Sequence, residues 1–397
     1  MLKNEIKIIF KRKLSYFIII IAIFSSILLP LISFQSFSYT SVDKSGNKIH
    51  YNGLKAVNVA NELQKEIYGN LDKNVIRKSL ETYYNSVDKN TNEVHWNETF
   101  SKYVPINELL LYFIEDETYK NLEKDQAINE IADNFYSKRT QMQKKAFEEM
   151  YNGKELDYAN KLEVKMIKPF QFYGVNGWDS FLMFFSYLIK LYMLLGIIFM
   201  ATIYTKEKES EFVNIIKSTK MSYVDYKTFK LFASLIYFMG ISILGIVIYI
   251  LMGFKFLNSE NLKTSIQFIQ LFSPQPMKLY HLLVKMVLYG ILGIFSTLIL
   301  TSMVSDKLKK GRNVAILMVT LFIIYILANG LVDIPFVTIK ALIDFLPFRF
   351  SDIYYILLEG VNIYTLKNFM ISAEKITLIG SILILVFYFF RKKYTKK

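Results

Sequence analysis

Leu14–Phe34 reads LSYFIIIIAIFSSILLPLISF, 21 residues without a charge, between Lys13 and the next ionisable residue that could interrupt it, Asp43. About 20 apolar residues are what a helix needs to cross the hydrocarbon of a bilayer. The run also exceeds the roughly 7–15 residues of a secretory h-region. It therefore reads as an uncleaved anchor, although basic residues precede it and Ser36-Phe37-Ser38 follows it.

The same pattern recurs along the chain. Trp178–Tyr204 is interrupted only by Asp179 and Lys190, and no charge falls between Lys230 and Lys255, Lys285 and Asp306, or Arg312 and Asp333. A shorter charge-free run, Ile376–Phe390, begins just after Glu374 and Lys375, which suit an outer interface. The expected fold is thus an all-α polytopic membrane protein with six transmembrane helices and a mainly helical extracytoplasmic domain. The predicted spans are 14–34, 178–204, 231–254, 282–305, 313–333 and 373–390, with an outer loop at 255–281.

Composition agrees with this reading. Of 397 residues, 53% are hydrophobic, and mean hydropathy is +0.27. A soluble chain of this length would be expected to form two or three domains, but such an apolar composition overrules that expectation. The absence of Cys excludes disulfides, thiolate metal sites and Cys nucleophiles. Three isolated histidines, His50, His95 and His281, make a poor basis for a metal centre.

The net charge of +14 suggests nucleic acid until its distribution is examined. Residues 35–177 hold 19 Lys/Arg and 21 Asp/Glu, so the excess lies elsewhere. Four short flanks (residues 1–13, 205–230, 306–312 and 391–397) carry 20 of the 48 basic residues. With six spans all four fall on one side, and the positive-inside rule makes that side, with both termini, cytoplasmic. Anionic lipid, not nucleic acid, is the implied charge partner.

Residues 35–177 form the long polar segment, predicted to be outside. Asp43–Lys48 is a turn cluster suited to a hairpin. Helical periodicity follows around Val75–Tyr84, Ile106–Ile114 and Leu122–Tyr151. Glu115-Asp116-Glu117 reads as a solvated helix end, and Asn97-Glu98-Thr99 is a sequon that carries little weight without a eukaryotic secretory context. Lys285 suits snorkelling to the outer surface. For Lys190, nearer the middle of its span, two readings stay open: a polar residue of a translocation path, or pairing within the bundle.

The connection Tyr204–Ser222 reads YTKEKESEFVNIIKSTKMS. Phe212, Ile215 and Ile216 share a face of a short amphipathic helix whose acidic first turn suits the helix dipole. Ser222 and Asp225 then match a capping box that restarts a helix. This stretch resembles the E-x-E-x-G … L-L-x-S-T-P-x-S … K loop of ABC type-2 exporter permeases. The matching residues are Glu207, Glu209, Ile215, Ile216, Ser218, Thr219, Ser222 and Lys230. Glu211 stands where that family usually has Gly, and Lys220 where it often has Pro.

The resemblance covers about 25 residues by motif and the whole chain by layout. It implies a coupling helix through which cytoplasmic ATPase subunits drive the permease, with Glu207, Lys208, Glu209, Glu211, Phe212, Ile215, Ile216, Lys217 and Thr219 at the interface. It implies a connecting helix at 1–13, where Leu2, Ile6, Ile9 and Phe10 make an apolar stripe, and short outer-leaflet helices at 334–372. It further implies two ATPase subunits that bind ATP and Mg, and a second permease copy or sister chain. No P-loop motif occurs in this chain, which is therefore expected to be a transport subunit and not itself an enzyme.

The expected function is outward transport of a peptide, toxin, lipid or drug-like substrate across a bacterial plasma membrane, the Lys/Asn/Ile/Tyr-rich composition pointing to an AT-rich genome. The alternative is a non-transporting scaffold or sensor whose outer domain binds a ligand or partner. A secondary transporter would show inverted repeats, and none is visible.

Overall fold

The computed structural model describes residues 2–43, 46–87, 93–209, 223–308, 310–330, 337–358, 363–366 and 369–394. Five of its helices are long and apolar enough to cross a membrane: Lys13–Gln35, Trp178–Lys206, Asp225–Phe256, Leu279–Lys307 and Gly311–Ala328. They fit a multi-pass membrane protein. Helix is the expected answer of such runs to lipid, because it satisfies every backbone N–H and C=O internally.

The chain begins with α1 (Leu2–Phe10) and the long α2 (Lys13–Gln35). A polar head follows: the hairpin β1 (Ser38–Val42) and β2 (Lys48–Asn52), α3 (Gly53–Gln64), β3 (Gly69–Asn70), α4 (Lys73–Ser86), α5 (Glu98–Ile114), α6 (Glu117–Lys120), α7 (Lys124–Met150), α8 (Lys154–Val164) and β4 (Gln171–Phe172). Then come α9 (Trp178–Glu209), α10 (Tyr223–Phe256), α11 (Leu279–Lys307) and α12 (Gly311–Gly330). Short α13 (Val337–Asp344), a 3-10 turn (Pro347–Asp352) and α14 (Ile353–Leu358) lead to a hairpin of β5 (Ile363–Leu366) and β6 (Phe369–Ser372). The last helix is α15 (Ala373–Tyr394).

The predicted turn at Asp43–Lys48 joins β1 to β2, with Thr40 opposite His50. The chain is mainly helical, but three two-stranded antiparallel sheets qualify the all-α expectation. The third lies in the region 334–372, which holds short helices among its described residues and also the β5–β6 hairpin. α15 is 22 residues long but is not among the five, so five and not six candidate spans stand among the described residues.

α2, α9 and α10 meet at one crowded point. The Ser26 hydroxyl lies 2.5 Å from the Tyr192 hydroxyl, which also donates to Ala22 O at 3.1 Å. Gly245 makes this approach possible, since a Cβ there would stand 1.7 Å from the Tyr192 oxygen. Hydroxyls within apolar helices find partners this way, and small residues let backbones approach. α9 is the hub of the bundle; among its residues Phe181, Leu182, Phe185, Leu188, Tyr192 and Met193 are fully buried. α2, by contrast, turns Phe17, Ile20 and Phe24 outward, each about 60% exposed: Phe17 59%, Ile20 65%, Phe24 62%. An apolar surface of that kind suits lipid.

The head is not built from residues 35–177 alone. The connection between α10 and α11 supplies Leu271 to its core, with Phe268 and Phe272 packed against it. Arg139 of α7, fully buried, pairs with Glu163 of α8 at 2.5 Å and donates to Leu271 O at 3.0 Å and Ser273 O at 3.2 Å. An Arg fork is suited to this, because it can satisfy a carboxylate and two carbonyls at once. An amide cluster makes a second joint: Asn61 Oδ1 accepts from Asn176 and from Asn261, each at 2.9 Å. The head is thereby fastened to the α10–α11 connection and to the residues that lead into α9.

Candidate functional site

Two regions carry the functional expectations. The first is the connection from α9 to α10. Glu207, Lys208 and Glu209 continue α9 as helix, whereas Glu211, Phe212, Ile215, Ile216, Lys217 and Thr219, with the proposed cap at Ser222, lie outside the described residues. What the structure does describe is the end of the bundle from which this connection leaves.

The described parts of three basic flanks meet there, and α15 approaches the same end. Tyr237 of α10 donates to Ser15 O at 2.9 Å and stacks edge-on against Phe10 of α1, with centroids 4.8 Å apart. Lys227, near the start of α10, pairs with Asp306 at the end of α11 at 2.6 Å. Gly311, opening α12, approaches α9 so closely that a Cβ would lie 2.5 Å from Thr205 Oγ1 and 2.7 Å from Ala201 O. Tyr388 of α15 lines an apolar groove with Thr228, Leu231 and Phe232 of α10. Lys230, the last residue of the resemblance, is buried at this end, 2% exposed, and is not a surface contact. The head and the α10–α11 connection lie at the opposite end, where α9 begins and α10 ends.

The second region is a charged cluster where residues 344–354 fold back against the helices. Lys190 of α9 pairs with Asp352 at 2.5 Å. The other carboxylate oxygen of Asp352 accepts from the Tyr325 hydroxyl of α12. Arg349 and Asp344 form a pair at 3.1 Å, both almost fully buried. Tyr354 donates to Asp179 at the start of α9, and Tyr289 of α11 donates to Glu374, which also lies 3.7 Å from Lys285. Lys190 is therefore paired with a carboxylate of the folded-back segment. Lys285, expected to snorkel alone, has a carboxylate neighbour.

At its centre two cations, Lys190 and Arg349, face two carboxylates, Asp344 and Asp352. Isolated charges in a low-dielectric surrounding are costly, and a partner offsets part of that cost. No nucleophile is held against a base here, so the arrangement ties the folded-back segment to α9 and α12. Sequence reasoning singled out Lys190 but missed Asp344, Arg349, Asp352 and Tyr325. The available signal was three charges within eleven residues of an otherwise apolar segment, matched in sign to the lone lysine of the second span.

Among the described residues no group of three His, Asp or Glu side chains could hold a metal ion. Compared with protein-family models, with curated proteins and with solved structures, the chain matches none.

Proposed function

We propose that the chain is the transmembrane permease subunit of an ATP-binding cassette exporter, working beside a second permease and two cytoplasmic ATPase subunits. α15 would be the sixth span, and the end bearing the basic flanks would face the cytoplasm. The observation that carries the reading is the motif from Glu207 to Lys230, placed between the second and third apolar helices. The convergence of α1, the α9–α10 connection and the α11–α12 connection at one end of the bundle supports it, because an ATPase docked there would touch all three.

In this mechanism ATP and Mg bind the partner subunit, whose closure shifts the connection 205–230 and with it α9 and α10. Coupling requires that the loop make different contacts in two global states. The cargo, a peptide, toxin, lipid or drug-like molecule, would leave between the two permeases on the side of the head. No covalent step falls to this chain.

The test is co-purification and transport. Glu207→Lys and deletion of Phe212–Ile216 are expected to abolish association with the ATPase and ATP-dependent efflux from vesicles while the chain still inserts in the membrane. Intact association and efflux in both variants would remove the assignment. The second reading, a sensor or scaffold, is favoured by one observation only, an open cleft in the head.

A further inference from the structure

That cleft lies between α4 and α5, an open cavity of about 400 Å³, within the usual range for small-ligand sites of roughly 300–1,000 Å³. Local hydrogen bonds build its mouth. Asn97 caps α5 by accepting from Phe100 N at 2.7 Å, and its amide donates to Ser86 Oγ at the end of α4 at 3.1 Å. His95 N bonds Ser86 O at 2.7 Å, and Val87 bridges to Val94. These contacts hold Trp96 against the start of α5, edge-on to Phe100 with centroids 5.2 Å apart.

Along α5 and its C-cap, residues 100, 104, 107, 108, 111 and 115 follow helical spacing and line one wall. Tyr83 of α4 faces them. The walls are aromatic and aliphatic, yet two carboxylates, Glu108 and Glu115, belong to the lining, about two turns apart. Neither forms an ion pair among the described residues. The Glu108 side chain is reachable by solvent but crowded by protein, and that desolvation raises its carboxyl above the ordinary carboxylate range. Asn107, 4% exposed, also lines the cleft; its Oδ1 accepts from Ser79 at 2.6 Å, whereas its Nδ2 has no hydrogen-bond partner. A buried amide donor without a partner is costly. Lys48 Nζ already stands 4.8 Å from the centre of the Trp96 ring, so that ring has a cation on one face.

We infer that the cleft between α4 and α5 is a binding site for an amphiphilic organic cation: an aromatic or aliphatic group carrying a protonated amine or guanidinium. The apolar portion packs between Tyr83, Phe100 and Leu111, the cationic nitrogen takes Glu108 or Glu115 as counter-charge, and an acceptor on the ligand satisfies Asn107. A basic peptide side chain with an apolar neighbour and a free small amine share this chemistry. The inference does not depend on the transport reading, since it concerns the head alone.

The test uses the full-length protein in nanodiscs of phosphatidylcholine, which has no net charge. Phenethylammonium, its neutral counterpart 2-phenylethanol and the amide of a Lys-Phe dipeptide are titrated in, and binding is followed by calorimetry and Trp fluorescence. Of the two Trp residues only Trp96 lines the cleft, Trp178 being fully buried. The expected result is saturable binding of the amine, about tenfold weaker for the alcohol, and about tenfold weaker for the amine in the Glu108→Gln/Glu115→Gln double variant. Glu117→Gln, outside the cleft, leaves binding unchanged. Tighter binding of the dipeptide identifies peptide as the source of the cation, and tighter binding of phenethylammonium a free amine. Equal affinity for amine and alcohol, unchanged affinity in the double variant, or no saturable binding of either cation overturns the proposal.

Discussion

Lys190 in the second apolar helix and Asp352 in the folded-back segment are joined at 2.5 Å, with the Lys190 side chain 21% and the Asp352 side chain 10% exposed. The pair fastens residues 347–354 to the hub helix, and Tyr325 closes it from α12. Breaking one partner of such a pair leaves the other charge uncompensated. Lys190→Met or Asp352→Asn alone is expected to cost roughly 3 kcal/mol, whereas the double variant costs less than the sum of the two. Thermal unfolding in detergent across the four-member cycle measures this, and additive losses would refute the coupling.

Arg139 is expected to be as consequential in the head. Its removal leaves buried Glu163 with only Thr140 and Lys168, takes the Arg139 donors from Leu271 O, and leaves Ser273 O with Gln267 alone. Arg139→Ala should destabilise by about 3–5 kcal/mol and raise hydrogen exchange selectively across 265–278. Arg139→Lys should fail to rescue, because a point charge cannot serve a carboxylate and two carbonyls together. Exchange in that segment identical to wild type would show that the connection is held by other means.

Gly245 gives a packing prediction. A methyl group there collides with the Tyr192 hydroxyl, so Gly245→Ala should cost about 1–3 kcal/mol or more by forcing α10 away from α9. Tyr192→Phe removes the colliding oxygen but not the ring, whose nearest carbon would remain 2.8 Å away. The double variant should therefore recover part of the loss. Melting temperatures of the two variants, compared with Gly245→Ala alone, decide the matter.

Asp116 gives a pH dependence. It caps α6 by accepting from Thr118 N at 2.8 Å, and bonding from Thr118, with Lys138 nearby, holds its carboxyl below the ordinary range. A carboxyl depressed in the folded state contributes stability above its unfolded value and loses it as pH falls through the folded value. The stability gap between wild type and Asp116→Asn should accordingly be full at pH 7 and shrink below about pH 4. Chemical denaturation at pH 7, 5 and 3 tests this, and a gap that is constant with pH would contradict it.

Much of the architecture is legible in order along the chain. Leu14–Phe34 could be read as a span because an uninterrupted apolar run needs no knowledge of its neighbours. The helix at Lys124–Met150 and the hairpin turn at Asp43–Lys48 follow from local periodicity and turn chemistry. The β5–β6 hairpin was missed because two four-residue stretches, Ile363–Leu366 and Phe369–Ser372, are too short to carry a period that separates strand from helix. The cleft between α4 and α5 was equally hidden, since Glu108 and Glu115 are ordinary surface residues until Trp96 and Tyr83 are brought beside them.

By itself, the sequence determined where apolar helices run, how the basic charge divides among short flanks, and which connection resembles a coupling loop. These are properties of contiguous residues, governed by transfer from water and by periodicity. Only the tertiary structure decided that Lys190 is paired with Asp352, that Arg139 holds a connection some 130 residues away, and that the head includes Leu271. Those outcomes depend on which groups meet after folding. A buried charge, carbonyl or aromatic ring must find its partner wherever the backbone path brings one, and sequence separation says nothing about that distance.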